Sequence, residues 1–316
     1  MDPYNESELA QVLNPLLLQD LHYYDRIWMK TMLQKARSCR VPGSTLIVGS
    51  SYALNDIRES VWKNAVSCSM HSQDLYYDFL CAKQAIGSVS SAYFTRCFIV
   101  AGYYLLGNDL SLSVSEREKW VSSVFYPIFH DGHHWDAPVS MDIWAKYADI
   151  PERMRPRLEK MAKRKILETG TYYSDVRPRW RPALSNGHTW AEASDAERDA
   201  WARDRAELHN RQYYHKASTQ ENFELLNELV RFLRSYRIEP ILVMAPFTEA
   251  YNRHILPDMK ADLERLLDEL PEAFHYVDFN EYSLGIFDDH DFSDPDHMNE
   301  RGAEKMSRIL TEMFGE

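Results

Sequence analysis

The chain has 316 residues, with 36 basic against 48 acidic side chains and a net charge of −12. At 45% hydrophobic and 27% charged residues it has the make-up of an ordinary water-soluble globular protein, long enough for one large α/β domain or two modest ones. The acidic balance argues against nucleic acid as a partner, because a duplex binder needs a basic surface.

The first twenty residues, "MDPYNESELAQVLNPLLLQD", have neither a basic leader nor a long apolar run. No signal peptide and no transmembrane span are expected, and the cytoplasm is the expected compartment. Periodicity then predicts a leading helix over 20–38 and a buried strand at "STLIVG", 44–49, apolar on both faces. A second strand is expected over about Val61 to Ser67. A helix follows in "HSQDLYYDFLCAKQAIG", where Leu75, Phe79, Ala82 and Ile86 share a face. "CFIVAGYY", 97–104, reads as another strand. The four cysteines (Cys39, Cys68, Cys81, Cys97) form no CxxC pair, and Cys97 is expected in the core.

Residues 110–214 differ in texture. They are rich in Trp, Tyr, Arg and His, show no clear strand, and carry one long helical stretch near 151–168. The basic run "ERMRPRLEKMAKRK", 152–165, reads as an amphipathic helix with a solvated basic face. Alternation resumes with a helix whose capping box is expected at Ser218 and Glu221, with Phe223, Leu226, Val230 and Leu233 on its inner face. The strand "PILVMAP" (240–246), a helix over 255–269, the strand "FHYVDF" (274–279) and a last helix from near Asn299 complete the chain. Both-faces-apolar strands alternating with helices predict an α/β fold, a three-layer sandwich around a central parallel sheet. Residues 1–316 are expected to form a single domain, with 110–214 as a helical or irregular insertion or lid.

Ligands of open parallel sheets bind past the carboxyl ends of the strands. Gly49-Ser50-Ser51 stands at such an end, and its hydroxyls suit either a helix-capping turn or a nucleophile. Far along the chain, "DFSDPDHMNERGAEKM" (291–306) lies between the last strand and the last helix. There Asp294 precedes His297 by three residues. A carboxylate so placed can accept the Nδ1 proton of the imidazole, leaving Nε2 free to take a proton from a serine.

An early G-x-S and a late D-x-x-H-x-N-x-x-G together resemble the SGNH (GDSL-like) hydrolase superfamily. The "GSS" variant and the "DLYYDFL" helix resemble its DltD-like branch. The match in element order covers roughly 43–109 and 216–314. The resemblance implies a flavodoxin-like fold and acyl transfer or hydrolysis, often on carbohydrates or cell-envelope polymers. By position it makes Ser51 the nucleophile, His297 the general base and Asp294 the orienting acid, with Ser50 and Asp296 as the runner-up nucleophile and carboxylate. It implies an oxyanion hole from the Ser51 backbone N–H, from Ser69 where the family has Gly, and from the third block. There Tyr104 stands in place of the usual Asn, and Asn108 follows four residues later.

"FHDGHHWD", 129–136, is a competing cluster, with His130, Asp131, His133, His134 and Asp136 as candidate metal ligands. Only His130 and His134 have helical i, i+4 spacing, and Gly132 between them weakens a helix. The expected function is therefore a serine-dependent esterase or O-acyltransferase acting on an acylated carbohydrate or cell-envelope precursor. Its expected partners are a small-molecule or saccharide substrate and an acyl donor such as a thioester, with no metal and no cofactor required. The alternatives are a catalytically silent carbohydrate-binding protein on the same fold and a metal-dependent hydrolase built on His130 and His134.

Overall fold

The computed structural model describes residues 6–62, 64–87, 90–282 and 285–315. Its longer elements run α1 (Glu6–Gln19), α2 (Leu21–Arg37), β1 (Ser44–Gly49), α3 (Ser51–Asp56), β2 (Ala65–Ser67), α4 (Leu75–Ala85), β3 (Phe94–Ala101), α5 (Arg155–Thr169), α6 (Asp195–Asn210), α7 (Lys216–Ser235), β4 (Glu239–Met244), α8 (Pro257–Asp268), β5 (His275–Asp278) and α9 (Glu300–Phe314). The chain groups into two compact units. One holds Met1–Lys35 and Leu110–Trp180, the other Ala36–Asp109 and Arg181–Glu316.

The second unit is the α/β sandwich. Its five strands are all parallel and ordered β2-β1-β3-β4-β5, the flavodoxin-like order. β1 is buried along its whole length, which accounts for its apolar side chains on both faces: helices cover both sides of the sheet. α4 packs on α7, while α3 packs on α9. Leu75, Phe79, Ala82 and Ile86 are all buried, as are Leu226, Val230 and Leu233; Phe223 is half-buried.

Three local expectations need correction. β2 is only three residues long, because Glu59–Val61 forms a 3-10 turn ahead of it. β3 ends at Ala101, which puts Tyr103 and Tyr104 in the turn beyond the strand. No capping box forms at Ser218 and Glu221, since α7 starts at Lys216 and Ser218 is buried within it. A capping box does form at Ser194 and Glu197, at the head of α6. That helix went unseen in the sequence, and it groups with the sheet.

The first unit is helical. Leu9, Leu13, Leu16 and Leu17 of α1 are buried, as are Leu158, Ala162 and Ile166 of α5. Tyr172 donates its hydroxyl to Asp25 at 2.6 Å, and Tyr24 donates to the Tyr172 carbonyl at 2.7 Å. Burial lifts the Asp25 carboxyl to about 6, although the Tyr172 hydrogen bond opposes the rise. Among the described residues, no helix is long and apolar enough to cross a membrane.

Candidate active site

The site begins where β1 ends. Gly49 has a φ of +144°, and a Cβ there would lie 2.4 Å from the carbonyl oxygen of Val100 on neighbouring β3. Only glycine lets the chain turn so closely over the next strand. Ser50 then takes the N-cap of α3, its Oγ accepting from Tyr52 N at 3.5 Å. Ser51 is the first helical residue. The backbone N–H groups of a first turn have no partner within the helix and are available to an incoming anion. Asn55 Nδ2 donates to the Ser51 carbonyl at 2.8 Å, and Asp56 Oδ1 accepts from Met298 N at 2.8 Å. The second contact ties α3 to the loop that carries the histidine.

That loop is built by its own polar side chains. Asp294 Oδ1 accepts the backbone N–H of Asp296 at 3.0 Å and of His297 at 2.8 Å, and both Asp294 oxygens lie 3.0–3.1 Å from His297 Nδ1. Ser293 N donates to the His297 carbonyl at 2.9 Å, and Phe292 bridges to Met298. Asn299 caps α9, accepting from Arg301 N and Gly302 N, while its Nδ2 donates back to the His290 and Phe292 carbonyls. Gly302 passes so close to the loop that a Cβ would sit 2.2 Å from the Asp291 carbonyl oxygen. Thr248, in the loop after β4, holds the Pro295 carbonyl through both its N–H and its hydroxyl.

These supports place His297 Nε2 2.8 Å from Ser51 Oγ. Ser51, His297 and Asp294 are thus brought into one hydrogen-bonded line. His297 is almost completely buried, while Ser51 stays partly open. Burial works against a charge on the imidazole, but the carboxylates of Asp294 and Asp296 outweigh it and lift His297 to about 9.

The runner-up residues are engaged elsewhere. Ser50 caps α3. Asp296 is fully buried and lies 3.7 Å from His297 Nδ1. Its Oδ1 accepts from Arg205 Nε at 2.8 Å and its Oδ2 from the Tyr52 hydroxyl at 2.9 Å. Burial disfavours the Asp296 charge, yet the Arg205 guanidinium holds it well below the usual carboxylate range. Burial beside Asp296 keeps the Tyr52 hydroxyl protonated far above the ordinary range. His209, on α6 with Arg205, is pushed down to about 3 by burial and the nearby guanidinium, and is therefore neutral. It bonds the Tyr251 hydroxyl and stacks on the Tyr104 ring at 4.0 Å.

Of the residues proposed for an oxyanion hole, Ser69 is buried just past β2, next to a Met70 N–H that donates to the Gly49 carbonyl at 3.3 Å. Tyr104 packs into the Tyr52–His209 cluster. Asn108 is held through its carbonyl by Asn222 Nδ2 at 2.9 Å, in the turn after β3. No contact joins Tyr104 or Asn108 to Ser51 among the interactions described.

Sequence reading missed Arg205 and His209 on α6, while Tyr251 falls in the segment 244–252 after β4. The signal for Arg205 and His209 is the spacing Ala202, Arg205, Ala206 and His209, two polar residues on a face otherwise lined by alanine. In the helical unit, the helix Tyr126–Phe129 ends at His130 in the left-handed conformation, at φ 55°, and His133 is also left-handed. His130 and His134 therefore do not share a helical face.

A cavity of about 960 Å³ opens beyond the ends of β4 and β5, lined among others by Tyr103, Phe247, Asn252, Lys260 and Phe287. Ser51 and His297 do not line it, but Phe247 packs on Tyr52 at 5.5 Å, and Tyr52 packs on His297 at 5.1 Å.

No family model matches the chain, and no curated protein matches it. Two solved structures are similar to it. One, from Streptococcus pneumonia and provisionally described as a platelet activating factor, is 10% identical over 98% of this chain and 99% of its own, with a TM-score of 0.45. The other, from Bacteroides fragilis NCTC 9343 and provisionally described as an acylhydrolase, is 11% identical over 90% of this chain and 94% of its own, with a TM-score of 0.42. Likenesses of this strength say nothing of what this chain acts on, and its α/β character rests on its own sheet.

Proposed function

We propose that the chain is a serine-dependent acyl-transfer enzyme of the SGNH type, an esterase or O-acyltransferase working through an acyl-serine. The observation that carries this reading is the 2.8 Å contact between Ser51 Oγ and His297 Nε2, continued to Asp294. In the first step Ser51 Oγ bonds to the carbonyl carbon of an ester or thioester, and its proton passes to Nε2. The developing oxyanion is met by the backbone N–H of Ser51 and, in this reading, by that of Ser69. Nε2 then returns the proton to the leaving oxygen or sulfur as its bond to the acyl carbon breaks. Water or an acceptor hydroxyl then bonds to the acyl carbon as the same nitrogen takes its proton, and that proton passes to Ser51 Oγ as the Oγ–acyl bond breaks. Tyr104 and Asn108 remain candidates as oxyanion donors only if substrate binding turns them toward Ser51.

An acylated carbohydrate or cell-envelope precursor is the substrate class we favour. The cavity near Phe247 supports it, since its aromatic walls suit the apolar face of a sugar. Its cations are already matched, Lys260 by Asp278 and Glu281 and Arg198 by Asp289, which fits an uncharged polyol. The DltD-like branch remains part of the proposal, as does a cytoplasmic setting.

Fluorophosphonate labelling of the pure protein, read by intact mass and peptide mapping, tests the reading. A single adduct on Ser51 that is lost in Ser51→Ala and in His297→Gln is expected. An adduct that survives Ser51→Ala and disappears in Ser50→Ala would transfer the role to Ser50. No adduct at any pH up to 10 would leave a binding protein.

A further inference from the structure

Behind His297 lies a second carboxylate that the proposed chemistry does not use. Asp296 is closer in sequence to the histidine than Asp294, and its Oδ1 is 3.7 Å from Nδ1. It is completely shielded from water. A bare buried carboxylate at that range would compete with Asp294 for the Nδ1 proton and pull the ring out of line with Ser51. It does not compete, because both its oxygens are taken. Arg205 Nε donates to Oδ1 at 2.8 Å, and the Tyr52 hydroxyl donates to Oδ2 at 2.9 Å. The guanidinium reaches in from α6, a helix whose other inward residues are Ala202, Ala206 and His209. His209 stays neutral and stacks on Tyr104, so Arg205 is the cation that meets Asp296 from this side.

We propose that Arg205 is a positioning residue: by engaging Asp296 from α6 it commits His297 Nδ1 to Asp294 and holds Nε2 on Ser51. The proposal rests on the reading of Ser51 and His297 as nucleophile and base, yet it makes a claim of its own about the imidazole. The charges facing that ring are Asp294 and Asp296 on its own loop, Arg205 and neutral His209 on α6, and the protonated Tyr52 hydroxyl on α3. Taking away Arg205 leaves two uncompensated carboxylates against one imidazole, so the ring should keep its proton to higher pH. Taking away the Asp296 charge as well should cancel that effect.

The experiment titrates the His297 ring by NMR on protein labelled with ¹³C-histidine, the resonance being assigned with His297→Gln. It compares wild type, Arg205→Met, Arg205→Lys and the double variant Arg205→Met/Asp296→Asn. The double variant replaces a buried ion pair by neutral groups and so guards against a fold that cannot tolerate one bare charge. Fluorophosphonate labelling rates are measured on the same samples from pH 6 to 10. In Arg205→Met the midpoint should rise by about one pH unit, and the labelling rate on the high-pH plateau, where the ring is neutral, should fall roughly ten- to a hundredfold because Nε2 is no longer held on Ser51. Arg205→Lys should fall between, and the double variant should return to the wild-type midpoint or below. A His297 midpoint within about 0.2 unit of wild type in folded Arg205→Met, or in Arg205→Lys where Arg205→Met does not fold, would overturn the proposal, and so would a double variant whose midpoint lies more than about 0.2 unit above wild type. Wild-type protein that fails to label while His297 titrates as described would instead remove the serine reading and leave the Arg205 effect on the ring standing.

Discussion

On the proposed reading, one carboxylate and one imidazole set the chemistry at the scale of single residues. A base must be neutral to accept a proton, and His297 is lifted to about 9. At pH 7 only about one molecule in a hundred then carries the neutral ring in the free protein. Labelling and ester cleavage should both rise about tenfold per pH unit from 7 and level off near 9. A profile that levels off at the ordinary histidine value near 6.5 would show that the two carboxylates do not act on the ring as argued. Asp294→Asn keeps the shape of the side chain but removes the charge that fixes the tautomer. It should lower the labelling rate by about 10³–10⁴ and bring the ascending limb to lower pH. Sequence spacing paired Asp294 with His297, because three residues on one loop force proximity. It did not reveal that Asp296 is spoken for, because its partners Tyr52 and Arg205 lie 244 and 91 residues away.

Glycines do the corresponding work at the scale of elements. The late motif needs its Gly because α9 starts against the loop it follows, and a methyl at Gly302 would meet a backbone oxygen that cannot move aside cheaply. Gly302→Ala should therefore cost about 2 kcal/mol in denaturant unfolding and detach Asn299 from its cap. Gly87→Ala, where the nearest atom to a new Cβ is 3.7 Å away, should stay within about 0.5 kcal/mol and serves as the control. Elements with a strong apolar period were legible in the sequence: β1, α4, β4, α8 and α9 sit within a residue or two of their expected spans. α6 was not, because its buried face is made of alanines, an arginine and a histidine, which carry little hydrophobic contrast. α1 was missed for another reason, since Pro15 lies inside it and reads as a break.

The same titrations act on the stability of the whole molecule. His297 is raised in the folded protein relative to an unfolded histidine near 6.5, so its contribution is fully present below pH 6.5 and is lost as pH climbs to about 9. Chemical denaturation should show the α/β unit losing up to about 3 kcal/mol across that interval, and His297→Gln should flatten the decline. A decline of equal size in the variant would assign the loss to other groups. His209 works in the opposite sense: it is lowered to about 3, so its contribution is present above 6.5 and drains away as pH falls toward 3. Asp25, raised to about 6 by burial, disfavours the folded helical unit as pH rises from about 4 to 6. Sequence reading could place the sheet but not this balance, because each sign depends on burial and on neighbours distant along the chain.

The hydrogen bond between Ser51 and His297 spans 246 residues of chain. A ribosome adding about 5–20 residues per second takes on the order of 10–50 s to travel from one to the other. Throughout that interval the serine exists without its histidine partner, while β2, β3, β4 and β5 are made in turn. On the proposed reading, a nascent chain of this protein is therefore chemically silent toward acyl donors until residue 297 has been added, however much of its sheet has already formed.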